Sequence, residues 1–137
     1  MREMKKLAQF ESNFDSFQLF ANVYSKQNGL IIDVVTPNEH LGGIGVGLPY
    51  IRANGAKSAN FHCISIPAHR DAELAGKLAQ IIAKNTEVPV IVLLGIHIPN
   101  ISKSQILKLS QFFEKWFTEI SFKLAKDSSL YSNKANQ

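Results

Sequence analysis

At 137 residues, with 45% hydrophobic and 19% charged side chains, the chain has the size and composition of one globular domain and lacks the polar, charge-rich profile of a disordered one. Its single cysteine, Cys63, excludes an internal disulfide framework and a multi-cysteine zinc site, and it fits a reducing compartment, so a cytoplasmic location is expected. The net charge of +4 comes from scattered lysines with no basic stripe of interleaved aromatics, and the longest apolar stretch, 88–96, is half a membrane span; neither a nucleic-acid nor a membrane partner is expected.

Residues 1–11 carry a few positive charges with no apolar run behind them, and the folded body is expected to begin near Phe10. Four β-type runs follow, at 16–24, 29–36, 43–51 and 59–67, separated by turn signals, and they predict four consecutive antiparallel strands. Asn28-Gly29 predicts a hairpin between the first two, because a type I′ turn needs positive φ at both central residues. The alternation of 59–67 is mixed and leaves its buried face open.

The period changes at 71–84, where Leu74, Ala75, Leu78, Ile81 and Ile82 fall at helical spacing. The continuous apolar run 88–96 predicts a central strand buried on both faces. Residues 102–124 predict a second helix about 34 Å long, with Ile106, Leu109, Phe112, Phe113, Trp116, Phe117, Ile120 and Leu124 in one stripe. Ser102 with Gln105 fits a capping box at its start. Such a stripe serves the core more often than a subunit contact. The order ββββαβα predicts a two-layer α/β (α+β) domain, a mainly antiparallel sheet covered by two helices, over 1–126, with 127–137 as a frayed, disordered tail.

Three segments join a histidine to turn formers beside a strand end: Asn38-Glu39-His40-Leu41-Gly42-Gly43, Pro67-Ala68-His69-Arg70-Asp71, and Gly95-Ile96-His97-Ile98-Pro99-Asn100. Strand-end loops are where open sheets place ligands. Gly42, Gly43, Gly45 and Gly47 could let the backbone approach a phosphate, though their spacing fits neither a Walker loop nor the dinucleotide fingerprint; alternatively they permit a bent or bulged strand. His69-Arg70-Asp71 precedes a helix, where free amides and the positive end of the helix dipole favour an anion; the plainer alternative is capping by Asp71. His40, His69 and His97 lack the close spacing of known zinc signatures. No nucleophile elbow is present, and Cys63, in mid-strand, is expected to be a buried, inert thiol.

In order and spacing, His40-Leu41-Gly42-Gly43-Ile44-Gly45-Val46, Pro67-Ala68-His69-Arg70-Asp71 and Gly95-Ile96-His97-Ile98-Pro99-Asn100-Ile101 resemble the LpdD-like prenylated-flavin chaperones, over roughly residues 10–124. Ala68 departs from the glycine often found before the second histidine, and Pro37-Asn38-Glu39 replaces a more glycine-rich approach to the first. The resemblance implies a fold like that of proteasome assembly chaperones. It also implies a non-catalytic accessory role, in which prenylated FMN (or FMN) is bound and matured or delivered to a UbiD-type decarboxylase. A flavin prenyltransferase is a second implied partner, and a homodimer the implied assembly. Carried over by position, it makes His40, His69 and His97 ligand contacts, places Gly42, Gly43 and Arg70 near the phosphate, and adds Asn100. The apolar walls would come from Ile44, Leu48, Ile96 and Ile98. Two other classes stay open: a protein-assembly chaperone without flavin, and a small metal hydrolase using the three histidines.

Overall fold

The computed structural model describes residues 5–36, 40–67, 71–96 and 101–127. Six strands form one sheet: β1 (Lys5–Phe14), β2 (Phe17–Lys26), β3 (Gly29–Val35), β4 (Gly43–Ile51), β5 (Lys57–Ser65) and β6 (Val90–Leu94). Helix α1 (Ala72–Thr86) lies between β5 and β6 in sequence, and α2 (Lys103–Ala125) ends the described chain. The spatial order is β1-β2-β3-β6-β4-β5, antiparallel throughout except for the parallel pair β3–β6.

The expected two-layer α+β class is the observed one, with two differences in the strands. Five strands, not four, precede α1. Strand β1 is an edge strand whose Ala8, Phe10, Ser12 and Phe14 share a face and alternate with exposed Gln9, Glu11 and Asn13. That period-two pattern was there to be read, but flanking charge masks it. The predicted start of the next strand at Ser16 falls in a tight turn, where Asp15 takes φ 52°. Nor are the first strands all sequential neighbours: after α1 the chain crosses back and inserts β6 between β3 and β4. Val90, Val92 and Leu94 are fully buried, so that slot gains more from β6 than from a β3–β4 pairing.

The expected hairpin joins β2 to β3, but not by the expected turn. Lys26 pairs with Gly29, leaving Gln27 and Asn28 in the loop, and neither Asn28 nor Gly29 takes the left-handed φ of a type I′ turn. Gly29 is required for another reason: a Cβ there would come within 2.6 Å of the Pro89 carbonyl oxygen, where β3 meets the start of β6.

Both helices cover the same sheet face. On that side Leu19, Ala21 and Val23 of β2, Leu30, Ile32 and Val34 of β3, and Val90, Val92 and Leu94 of β6 pack under Leu78, Ile82, Phe113, Phe117 and Ile120. The α2 stripe is core, with Phe113 and Phe117 fully buried and Trp116 edge-on to Phe117 at 5.8 Å. Its first member is the exception, since Ile106 is exposed one turn before the helix reaches the core. Phe112 meets Phe14 of β1 at 5.4 Å, and Asn85 of α1 donates to the Ser121 hydroxyl of α2 at 2.8 Å, which ties the two helices. The capping box is present as expected: Gln105 N–H donates to Ser102 Oγ at 3.2 Å, and Ser102 N–H to Gln105 Oε1 at 3.0 Å.

The opposite sheet face carries no helix among the described residues. The expectation that β6 is buried on both sides is therefore corrected: it is central, but Ile91 is exposed and Leu93 half-buried. Cys63 is also exposed and not the buried thiol expected, because β5 is the sheet edge and α1 covers it only in part. None of the helices in the described residues is long and apolar enough to cross a membrane.

Candidate functional site

The three histidine turns begin and end at one end of the sheet. Strands β3 and β6 run parallel, so their C-terminal ends, Val35 and Leu94, lie together. Strand β4 starts and β5 finishes at the same end, since Gly43 pairs with both Leu94 and Ser65. Helix α1 starts there too, with Ala72 over Gly43.

Hydrogen bonds lock these flanks together. The Gly42 amide donates to the Leu94 carbonyl at 3.0 Å, and the Gly42 carbonyl accepts from the Ile66 amide at 3.0 Å, so this residue joins the first turn to the other two. Thr36 Oγ1 donates to the Gly95 carbonyl at 2.8 Å in a buried position. The His40 backbone carbonyl packs so closely on Gly95 that any side chain at 95 would overlap it. Asp71 Oδ2 accepts from the Ile96 amide at 3.1 Å and so connects the start of α1 to the third turn.

Of the residues expected to form the site, His40, Gly42 and Gly43 fall within the described structure, and His69, Arg70, His97 and Asn100 lie outside it, as does Ile98 of the expected apolar walls. His40 is exposed at the rim, followed by exposed Leu41. Both backbone groups of Gly42 are engaged, so its amide is not directed at a ligand. Gly43, Gly45 and Gly47 have an explanation in the packing: each faces the backbone of α1. A Cβ on Gly43 would reach 2.5 Å from the Ala72 nitrogen, one on Gly45 would overlap the Ala75 carbonyl, and one on Gly47 the Ala79 carbonyl. The glycines let the helix lie directly on the strand, with Ala72, Ala75, Ala79 and Ala83 as its matching small face.

Two further expectations change. Asp71 occupies the N-cap position of α1 but makes no side-chain capping bond, because its carboxylate is held by Ile96. The first-turn amides of α1 are therefore not occupied by the Asp71 side chain. Leu48 does not share a wall with Ile44. Four residues of strand separate them by about 13 Å, and Leu48 instead lines a shallow recess of about 380 Å³ at the far end of the sheet, with Ile31, Val46, Pro89 and Ile91.

Among the described residues, no group of three His, Cys, Asp or Glu side chains is arranged to hold a metal ion. Sequence reading singled out the three turns but missed what joins them, namely Thr36, Asp71 as a latch, and Gly95. Only Gly95 carried a signal, as a glycine directly after a buried strand.

Comparison with known proteins places this geometry. No curated protein matches the chain by sequence. Its fold is similar to that of a chain in the crystal structure of a chaperone complex for yeast 20S proteasome assembly, with a TM-score of 0.56 over 86% of this chain and 97% of that one, at 16% identity. That likeness is one of fold alone, and it agrees with the fold the sequence resemblance implied. The model of the prenylated flavin chaperone LpdD-like domain matches residues 13–125, a span that holds all three histidine turns, and the chain therefore belongs to that family.

Proposed function

We propose that the protein binds prenylated FMN at the histidine-turn end of the sheet and supports its maturation or its delivery to a UbiD-type decarboxylase, acting as a non-catalytic homodimer in the cytoplasm. A flavin prenyltransferase is a second candidate partner. The observation that carries this reading is the joining of the three turns: separated by dozens of residues in sequence, their flanks are hydrogen-bonded to one another around Gly42, Leu94, Ile66 and Asp71. The family match over 13–125 supplies the ligand class.

Prenylated FMN joins a phosphate dianion to a large apolar ring, so a binding protein needs donors at one end and apolar surface at the other. The residues present fit that demand. Leu41 is 48% exposed beside His40, and half-buried Ile44 and Ile96 lie at the same sheet end. For the phosphate, Arg70 and the start of α1, whose amides the Asp71 side chain leaves uncapped, are the donors of choice. His40, His69, His97 and Asn100 are assigned to the ring and its polar edge. When bound, the cofactor supplies the redox chemistry; the chain's part is to hold it, exclude water and manage protons at the histidine nitrogens. The carboxylate of Asp71 lies close to this anion site, and its hydrogen bond from Ile96 directs it toward the third turn.

The test is a titration of the purified protein with prenylated FMN and, separately, FMN, followed by absorbance and fluorescence, for the wild type and a combined His40→Ala, Arg70→Ala variant. The expected result is binding of the prenylated form, weakened at least about tenfold in the variant, or about 1.4 kcal/mol. Failure of the wild type to bind either flavin would leave protein assembly as the better account, the role that the printed description of the yeast complex attaches to that neighbour.

A further inference from the structure

A helix that lies along a sheet turns a side chain toward it every third or fourth residue, so only about two or three consecutive residues can face water. The first six residues of α2, 103–108, are all exposed, and burial begins only at Leu109. At about 1.5 Å per residue, this stretch overhangs the sheet by about 9 Å. The end it overhangs is the one that carries the histidine turns. Phe112, further along α2, packs on Phe14 at the end of β1, and in register beside Phe14 strand β2 starts and β3 stops.

Two features of the overhang work against the chain on its own. Leu107, 60% exposed, is the most exposed large apolar side chain among the described residues, and its neighbour Ile106 is 48% exposed. Lys103 holds the first helical position, where the positive end of the helix dipole disfavours a cation, and the first turn carries no acid to offset it. Helix α1 shows the favourable arrangement instead, with Glu73 in its first turn and Lys84 in its last. The sequence from 88 to 113 has no Asp or Glu, and among the described residues neither Lys103 nor Lys108 makes an ion pair.

From these exposed apolar and uncompensated basic groups we infer that the start of α2 is a docking surface for a protein partner, one that presents carboxylates around an apolar centre to Lys103, Leu107 and Lys108. In the reading above, that partner is the decarboxylase that receives the cofactor; the inference rests on this delivery role and not on the flavin.

Geometry selects a macromolecule as the occupant. Leu107 lies about 140–160° around the helix from buried Leu109 and Ile120, so it points away from the sheet and from any small ligand held by the turns. Lys103 stands one turn before Leu107 on the same side, and Lys108 is next to it. The attraction comes from side chains, since the capping box already engages the Ser102 and Gln105 amides. A second copy is a poor occupant, because two such tips would bring four lysines together. A membrane is a poor one too, since two lysines fall short of the roughly four to eight basic residues of a lipid-binding cluster. A protein seated here would lie beside exposed His40 and Leu41, at the rim where a cofactor would enter or leave.

The test is binding of the full chain to the flavin-free form of a UbiD-type decarboxylase, followed by interferometry at low and at physiological salt. The combined Lys103→Glu, Lys108→Glu variant should bind at least about tenfold more weakly, with a shallower salt dependence. Leu107→Ser should lose at least about fivefold. Misfolding is controlled by circular dichroism, and Lys103→Glu places an acid where the helix dipole favours one. Lys84→Glu, at the far end of α1, should bind as the wild type does, and the double variant should titrate prenylated FMN as the wild type does. A wild type that forms no complex would overturn the inference. So would a complex that tolerates the charge reversal, an equal loss from Lys84→Glu, or binding to phosphatidylserine vesicles in place of the enzyme. A chain that binds the decarboxylase but no flavin would sink the cofactor reading and keep the docking surface; one that binds flavin but no decarboxylase would do the reverse.

Discussion

Along β4, Gly43, Gly45 and Gly47 turn toward α1 while Ile44, Val46 and Leu48 turn away from it, and the two sides of this strand obey different constraints. On the helix side space is the constraint: backbone rests on backbone, and the residue must have no side chain. On the other side the constraint is water, since bulky apolar groups stand on a surface that no helix of the described residues covers. A single strand thus shows why polarity alone is a poor guide to its environment. The buried side carries the smallest residues in the chain, and the less buried side carries the large ones.

Breaking the helix side should be the most damaging. Gly45→Val places a branched side chain against the Ala75 carbonyl and the Gly76 amide, neither of which can rotate away. A loss of about 3 kcal/mol or more is expected, enough to lower the melting temperature by roughly 10 °C or to prevent folding. A melting temperature within a degree or two of wild type would mean that α1 does not lie on the strand.

Asp71→Ala tests what holds the start of α1 in place. Removing the acceptor of the Ile96 amide should cost about 1–2 kcal/mol in urea unfolding, because a half-buried donor loses a carboxylate partner. Had Asp71 acted as a conventional cap, Asp71→Ser would restore the loss; here the shorter hydroxyl should not.

The open side should tolerate change. Val46→Ala is expected to cost about 1 kcal/mol or less in the monomer, since its side chain is only half-buried, against the severe loss at Gly45 next to it. Comparable penalties at the two positions would contradict the division of the strand into two faces.

The smallest effect is confined to alkaline pH. On the same side of β4, the Tyr50 phenol is held below its ordinary value, first by a hydrogen bond with the Ser58 hydroxyl and then by the Arg52 charge. Its folded value lies below the unfolded one. Any stability it adds is therefore present above about pH 10, the unfolded phenol value, and is lost as the pH falls through the lowered folded value; at neutral pH it adds none. Ultraviolet titration of Tyr50→Phe should lose the earliest phenolate transition. If the earliest transition persists, it belongs to another tyrosine.

Much of this was legible in the chain. The helical spacing of Leu78 and Ile82 and the aromatic stripe of α2 specify where two helices lie, because burying an apolar face demands that period. The capping box at Ser102 was readable because its partners are three residues apart. Each histidine segment stood out as a run of turn formers beside a strand end. What was hidden depends on partners distant in sequence. Gly43, Gly45 and Gly47 looked like a phosphate loop or a bulge, and only the approach of Ala72, Ala75 and Ala79 shows that a helix takes the space. Asp71 looked like a cap, yet its partner is the Ile96 amide 25 residues away.

By itself, then, the sequence determined the kinds of element, the start of α2 and the three candidate turns, since each follows from dihedral preference or hydrophobic period over a few neighbouring residues. Only the tertiary structure decided that β6 slips between β3 and β4, that both helices of the described residues take the same sheet face, and that the flanks of the three turns meet at a single sheet end. Those outcomes come from competition for buried area and backbone hydrogen bonds among segments that local preference cannot compare.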